Sequence, residues 1–525
     1  MHLFDVLEAS TRRRPDHPAV EWTGTPAAPD TGDRPPVRTM TYRELKDAAE
    51  RAATVFTHHG VLPGDRVMVM TLNDPGFLVA MYGIWRCGAV LVPVNHKMTP
   101  PEIAHIAAHS RAVLGVASDR LADTARQGAP GVDWLVTSGD PVSAPGSFDD
   151  AVTAAEPWTG PLVGDTDYAQ VLYTSGSTGS PKGCVLTHRA VSAIAPNICS
   201  NMPFAADERM LVCMPVWHAS PLNNWTLTTL FVGGTVVLMR EYDPTRFLGV
   251  LESARITSVF GAPIAYIAPV QLAKAGADSG TGTRQPGDHD LTSVRMLIYG
   301  AAPLGEEMAR MLITAYGTEN FYQVYGMTET GPAGSVLVPA DQVRKAGSIG
   351  RGMLGVDLKV VADDGTDVTA SGEGEIWMRC DSMMSVYLSN PEATAEAFMD
   401  GWYRTGDVGK VDVDGYIYIA DRKKDVIITG GENVYSTEAE EAIRDMPEVR
   451  DVAVVGRIHP EWGETVVAVV VTDEGQLLSV DEVRAHLSGK LAKYKIPREV
   501  VVARGLPRNP SGKLLKHVIR AEVNA

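Results

Sequence analysis

The feature that most narrows the fold is a repeated strand-and-helix punctuation in the first third of the chain. Thr41 followed by Glu44 is a capping-box pair that opens an amphipathic stretch closing at Gly60, and Thr99 with Glu102 repeats the device. The β-rich runs Val67 to Thr71 and Ala89 to Val94 lie between these pairs, with a further helix expected from near Pro75 to a stop at Gly88. Strands that alternate with helices pair in parallel and are covered by those helices, so an α/β architecture is expected. No repeat period is evident.

The 525 residues suffice for two or more domains, and 45% hydrophobic with 21% charged residues is a globular composition that excludes disorder, collagen and small disulfide scaffolds. Lys and Arg number 47 against 64 Asp and Glu, a formal charge of −17 that leaves no basic excess for wholesale nucleic-acid binding. An anionic ligand must therefore meet a local basic site. Cys87, Cys184, Cys199, Cys213 and Cys380 are odd in number and never spaced C-x-x-C, so neither a disulfide framework nor a zinc knuckle is indicated, and a reducing cytoplasmic setting is expected. The N-terminal MHLFDVLEASTRRRPDHPAV places its arginines after a short apolar stretch, the wrong order for a secretory signal. The longest apolar run, Val466 to Val471, is far shorter than a membrane span.

Trp22 to Arg38 and Ala275 to Asp290 are rich in turn formers and are expected as surface insertions without chemistry. From Arg484 to Ala525 ten Lys or Arg stand against only Glu499 and Glu522, which makes this tail a candidate anion-facing surface; a solvated basic face is the competing account.

Chemistry concentrates in Tyr173 to Gly183, YTSGSTGSPKG, directly after the β-like run Ala169 to Leu172. Thr174, Ser175, Gly176, Ser177, Thr178 and Gly179 would let backbone N–H groups and hydroxyls approach phosphate oxygens, and Lys182 adds charge. This is not a Walker A loop, which needs Gly before its Lys and Ser or Thr after it; here Pro181 precedes Lys182 and Gly183 follows. A flexible turn would account for GSTG alone, but not for the whole ordered segment.

The segment resembles the phosphate-binding signature of the adenylate-forming superfamily, which contains acyl-CoA synthetases, luciferases and peptide-adenylating domains. Further matches follow in order along most of the chain: GAAP at Gly300, Ala301, Ala302 and Pro303; QVYGMTE from Gln323 to Glu329; YRTGDV from Tyr403; DRKKD from Asp421; GGEN from Gly430; NPSGK ending at Lys513. The resemblance implies a large N-terminal adenylate-forming domain with parallel or mixed sheets and helices, residues 1–421. A small mobile α+β domain, residues 422–525, would follow a hinge at about Lys424.

It also implies roles. Tyr325 and Gly326 with Gln323 and the GAAP backbone would hold adenine, Thr328 would bind phosphate, and Glu329 would hold Mg²⁺. Asp407 and Arg422 would grip the ribose, Lys513 would be the catalytic lysine of adenylation, and Lys424 the pivot. Gly430 and Gly431 would line a thiol channel; an ordinary turn is their competing account. Trp217, His218, Asn223, Gly300 and Tyr325 would shape the acyl pocket, with His218 gating it or orienting the carboxylate; a hydrogen-bonded core histidine remains the alternative for His218 and a cap the alternative for Asn223 and Asn224.

The expected activity is an ATP-dependent carboxylic acid ligase that forms an acyl adenylate, releases pyrophosphate and passes the acyl group to a thiol, with coenzyme A preferred and an aliphatic acid as substrate. A phosphopantetheine arm on an acyl carrier protein is the alternative acceptor, and a silent adenylate-binding sensor the alternative of another class. ATP, Mg²⁺ and coenzyme A are the implied cofactors, with neither nucleic acid nor a membrane span expected.

Overall fold

The capping pairs do what their spacing predicts. Thr41 Oγ1 accepts from Glu44 N at 3.2 Å and Glu44 accepts from Thr41 N at 2.8 Å, opening the helix Tyr42–His58, which stops before a left-handed Gly60. Glu102 accepts from Thr99 N at 2.8 Å at the start of Pro100–Ser110. Between them Asp74 caps Pro75–Arg86, accepting from Phe77 N at 3.2 Å. The computed structural model describes residues 1–23, 37–138, 146–174, 181–279, 284–429, 432–460, 462–473, 476–508 and 514–525.

Two compact units divide the chain: one built from Met1–Gly176, Pro181–Leu358 and Met378–Tyr403, the other including Lys359–Trp377 and Arg404–Ala525. The first unit has two sheets. In one, Tyr168–Thr174, Val90–Pro93, Arg66–Met70, Ala112–Ser118 and Asp133–Thr137 run parallel, and Lys182–Thr187 and Val386–Tyr387 extend it antiparallel. In the other, Phe321–Gly326, Met296–Tyr299, Ser258–Gly261, Arg209–Val212, Thr235–Leu238 and Pro18–Thr23 lie parallel in that order. Gly334–Leu337 and Ser348–Gly352 continue it antiparallel.

Both expected insertions begin later than their composition suggests. Trp22 is only 6% exposed and pairs with Leu238 and Arg38 in strand register, because a large indole gains more from burial than from a solvated loop. The helix Pro263–Ser279 runs into the second stretch, and Arg284 beyond it pairs with Glu252 at 2.9 Å.

The second unit is α+β. Val449–His459 and Gly463–Thr472 form an antiparallel hairpin, which Glu499–Val502 joins in parallel. Val452, Val454, Val466, Ala468 and Val470 pack one way, against Ile443 and Leu487 of the helices Ser436–Arg444 and Val480–Leu487. Ala453, Val455, Val467 and Val469 pack the other way, with Ile519 of Lys516–Asn524. The long apolar run is thus a strand covered on both faces, each buried valine contributing roughly 1.5–3 kcal/mol. No helix among the described residues is long and apolar enough to cross a membrane.

Much of the basic tail is structural. Lys495 pairs with Glu438 at 2.7 Å, Arg508 with Asp451 at 2.6 Å and Lys516 with Glu440 at 2.7 Å, while Arg498 lies 3.5 Å from the centre of the Trp462 ring.

Near the N-terminus His2 and His188 stack with ring centroids 3.7 Å apart, and His2 Nδ1 caps Leu3–Arg13 by accepting from Phe4 N at 3.1 Å. Burial lowers their pKa values to about 4 and about 2; Arg86 and the amino terminus reinforce this at His2, while Asp5 and Asp165 oppose it. Both rings are therefore neutral in the fold, and their stabilisation is complete above pH 6.5 and lost as pH falls toward the folded values. By pH 5 the His188 contribution should have fallen by about 2 kcal/mol. His188→Phe should flatten the fall in urea midpoint between pH 7 and 5; an unchanged slope would show that His188 does not carry it.

Candidate active site

The phosphate-clamp segment begins and ends on fixed strands. Thr174 pairs with Lys182, Tyr173 with Gly183 and Leu172 with Cys184 in antiparallel register, so the stem is held on both sides. Ser175, Gly176, Ser177, Thr178 and Gly179 lie outside the described residues. Gly183 answers to packing: a Cβ there would lie 2.8 Å from Val171 Cγ1 and 3.3 Å from Tyr173 Cζ. The Tyr173 hydroxyl is 2.8 Å from His109 Nδ1.

The other candidates of the first unit gather where parallel strands end, the place at which open α/β sheets leave a crevice. GAAP follows Met296–Tyr299, and the Met214–His218 loop comes soon after Arg209–Val212. Tyr299 pairs with Gln323, which puts GAAP beside QVYGMTE. A Cβ on Gly300 would lie 3.0 Å from Val324 O, and Ala301 takes a left-handed φ of 71° that leaves Ala301, Ala302 and Pro303 exposed. Gln323 is buried with Oε1 unpartnered, and Tyr325 is partly exposed at the strand's end.

Past Tyr325 the chain doubles back. Gly326 pairs with Gly334, and a Cβ on Gly326 would sit 2.1 Å from Pro332 O, so the close backbone approach requires glycine. The intervening Thr328–Thr330 turn presents Glu329, whose Oε1 accepts from the Tyr387 hydroxyl at 3.0 Å and whose backbone O accepts from Met384 N at 2.8 Å. The Lys182 ammonium lies 5.1 Å from the Tyr387 ring centre, a cation–π contact that joins the clamp to the carboxylate. Burial pushes the Tyr387 and Tyr403 hydroxyls and the Cys184 thiol upward, and Glu329's charge adds to each. Tyr387, Tyr403 and Cys184 were not among the expected site residues.

Three consecutive carbonyls after this turn are each held. Ser382 Oγ donates to Thr330 O at 2.7 Å, Asn223 Nδ2 to Gly331 O at 3.2 Å and Asn224 Nδ2 to Pro332 O at 3.5 Å. Asn223 and Asn224 lie in the π-helix Ser220–Thr226, whose wider turn sets adjacent side chains at a smaller angle than an α-helix does. Both are buried, and Asn223 acts as a support of the Glu329 turn. Trp217 Nε1 donates to His96 at 3.1 Å, and the Trp217 and His218 rings meet edge to face at 5.7 Å. His218 is exposed, while desolvation by the surrounding protein holds its pKa below the ordinary value. Asn73 fixes that loop: Nδ2 donates to Met214 O at 3.0 Å and Oδ1 accepts from Val216 N at 2.8 Å.

In the second unit Asp407 and Arg422 are register partners, with Arg422 Nε 2.5 Å from Asp407 Oδ1. Thr405 Oγ1 accepts from Asp407 N at 3.1 Å and donates to Ile376 O at 2.7 Å, which pins the strand under the carboxylate. Lys424 follows on an exposed turn, its carbonyl accepting from Arg520 Nη1 at 3.0 Å. Gly430, Gly431 and Lys513 lie outside the described residues.

Among the described residues no group of three or more His, Cys, Asp or Glu converges as a metal site. Glu329, a carboxylate held by Tyr387 and next in sequence to Thr328, is of the donor type that fits Mg²⁺, which keeps waters and is bound largely through substrate phosphates.

The AMP-binding enzyme family profile matches residues 7–388, and the profile of the AMP-binding enzyme C-terminal domain matches 438–513. A feruloyl-CoA synthase of an Amycolatopsis species is 38% identical over 481 residues, covering 92% of this chain and 93% of its own. A long-chain-fatty-acid–CoA ligase of Mycobacterium tuberculosis is 35% identical over 93% of both chains. A fatty acid–[acyl-carrier-protein] ligase of Streptomyces coeruleorubidus is 34% identical over 92% of this chain and 91% of its own. Among solved structures, ATP-bound MatB of Rhodopseudomonas palustris superposes with a TM-score of 0.85 at 30% identity over 99% of each chain.

Gly326→Ala should force the turn away from Pro332 and cost about 1–3 kcal/mol, read as a lower urea midpoint. Unchanged stability would mean that the backbones are not in contact there.

Proposed function

Since the chain belongs to the AMP-binding enzyme family, the adenylate-forming superfamily that includes the acyl-CoA synthetases, we propose that it joins a carboxylic acid to a thiol at the expense of ATP. The observation that carries this reading is the Lys182–Tyr387–Glu329 chain of contacts: a phosphate-seeking ammonium and a metal-seeking carboxylate are built against one buried phenol.

In the first step a carboxylate oxygen attacks the α-phosphorus of ATP in line, the bond to the bridging oxygen breaks, and pyrophosphate leaves. Lys182 and the hydroxyl-rich clamp neutralise phosphate charge, Tyr325 stacks on the adenine, and the Gln323 side-chain amide reads its edge. Asp407, already oriented by Arg422, takes the ribose hydroxyls. Glu329 and Thr328 would hold Mg²⁺, which when bound neutralises triphosphate charge. Lys513 stabilises the charge that builds on the five-coordinate phosphorus. In the second step a thiolate attacks the acyl carbonyl and AMP leaves. Lys513 is not needed there, so a division at 421/422 with Lys424 as pivot lets the small domain turn Gly430 and Gly431 toward the thiol.

The acid is an aliphatic one without an α-ammonium group. In support, Asp207, which precedes the Met214–His218 loop, is an exposed side chain paired with Arg295 at 3.0 Å. An arylpropenoic acid is the second reading, favoured by the feruloyl-CoA synthase relative. Coenzyme A is the preferred thiol, and the Streptomyces relative keeps a carrier protein in view.

Pyrophosphate release should be measured over aliphatic, arylpropenoic and amino acids, then thioester formation with coenzyme A and a holo carrier protein. Release with no acid would overturn the reading. Lys513→Ala should lose about a hundredfold or more in pyrophosphate release while keeping thioester formation from supplied acyl adenylate; equal loss in both would contradict a mobile lysine. Tyr387→Phe frees one oxygen of Glu329, and the Mg²⁺ concentration for half-maximal release should rise roughly tenfold to a hundredfold. An unshifted Mg²⁺ requirement would remove Glu329 from the metal's holders or Tyr387 from its support.

A further inference from the structure

We infer that Lys516 is a positioning residue for the first half-reaction, fixing the base of the segment that carries Lys513 through a buried bridge to Glu440 and Ser436. The inference deepens the functional reading and rests on it, because Lys516 acts only through Lys513.

Lys516 stands where a lysine is not expected. It is the first residue of the helix Lys516–Asn524, at the positive end of the helix dipole, where an acidic or neutral residue is favoured. Its side chain is only 13% exposed, and burying an ammonium is costly unless partners repay it. Both partners are present: Nζ is 2.7 Å from Glu440 Oε1 and 2.6 Å from Ser436 Oγ. Glu440 is itself 9% exposed and accepts from Val454 N at 2.8 Å, so the strand Val449–His459 fixes the anion before the lysine arrives. Burial raises the Glu440 carboxyl, and the charge and hydrogen bond of Lys516 oppose that rise without cancelling it. A long side chain with up to about 2 kcal/mol of rotamer entropy is thus immobilised by two converging acceptors.

The described residues that flank 509–513 give this bridge a purpose. Arg508 and Leu514 form an isolated antiparallel bridge, and Leu515 N donates to Pro507 O at 2.9 Å. The chain on either side of 509–513 is therefore clamped to itself. Arg508 ties one arm of the clamp to Asp451 at 2.6 Å; Lys516 ties the other. The contacts continue inward, since Ser436 donates from N and Oγ to Asp421 Oδ2 at 2.5 and 2.6 Å, and Asp421 adjoins Arg422. Without Lys516 the second arm would keep its backbone contacts and the packing of Leu514 and Ile519, but would lose the polar tether that fixes where the helix begins. Misplacement by an ångström is enough to slow a reaction that depends on positioning.

The test is the double variant K516M/E440Q, which removes both charges and leaves neither buried unpaired. Its kcat for pyrophosphate release should fall roughly tenfold to a hundredfold. KM for ATP and thioester formation from supplied acyl adenylate should each stay within about twofold. Amide hydrogen exchange in 507–515 should quicken, and Lys516→Arg, which keeps both bonds, should restore rate and protection. Unchanged kcat with unchanged exchange overturns the inference, as does equal loss of both half-reactions, which would mark a merely structural pair. If the double variant does not fold, Ser436→Ala should give the same pattern in weaker form, and wild-type behaviour there overturns the inference. The unmodified enzyme is assayed first: if it releases no pyrophosphate with any acid, the functional reading fails, and with it the role through Lys513. Quickened exchange alone would then still establish the anchor.

Discussion

The close backbone approach at Gly326 is the constraint on which the first unit's chemistry depends. Two chain segments pass within a distance that no Cβ tolerates, Gly326 against Pro332 and Gly334 against Tyr325 O at 2.0 Å from an added Cβ. The fold accepts this because it turns the chain back directly after Tyr325, and the tight reversal carries Glu329 on the Thr328–Thr330 turn between the two paired strands. Glycine is a poor strand residue on propensity, so its use at both crossing points marks a place where proximity outweighs local preference.

A turn that close needs support, and the support comes from distant parts of the sequence. Ser382, Asn223 and Asn224 hold three successive carbonyls, Met384 holds a fourth, and Tyr387 holds the carboxylate. The π-helix contributes directly, because a wider turn lets two adjacent asparagines serve adjacent carbonyls. Each buried carbonyl satisfied in this way avoids a desolvation penalty of about 1–3 kcal/mol, so the turn is held in one arrangement by many small terms. Reaction chemistry that depends on charge placement benefits from such fixed dipoles, since no reorganisation is then needed as charge develops.

How much of this was legible in the sequence follows from the range of each signal. The helix caps at Thr41 and Thr99, the helix start near Pro75 and the strand into the hydroxyl-rich segment are local, and the structure reproduces them within a residue or two. The ordered motifs identified the family, and the α/β fold followed. Tyr387 escaped because nothing in SVYLSN signals a partner 58 residues earlier; only the pairing of Val386–Tyr387 with Lys182–Thr187 creates the contact. Asn223 stands between pocket residue and cap on the sequence alone, and only the folded chain shows its Nδ2 donating to Gly331 O. The edges of the two insertions were misjudged because composition is blind to where Trp22 finds a core. Lys513, Gly430, Gly431 and the tip of the clamp keep the standing that resemblance gives them.

The basic tail carries the last step. Counted as charge, ten cations against two acids suggest a surface that attracts phosphate. Followed side chain by side chain, Lys495, Arg508 and Lys516 are spent on Glu438, Asp451 and Glu440, carboxylates from outside the tail. Arg422 is likewise paired, with Asp407. An acidic protein that handles a polyanion therefore does not work by accumulating positive potential. It works by placing a few cations and many N–H and O–H dipoles, and the paired cations serve to aim the carboxylates and loops beside them. That division explains why net charge says little about the ligand here, and why the identity of each cation's partner says a great deal.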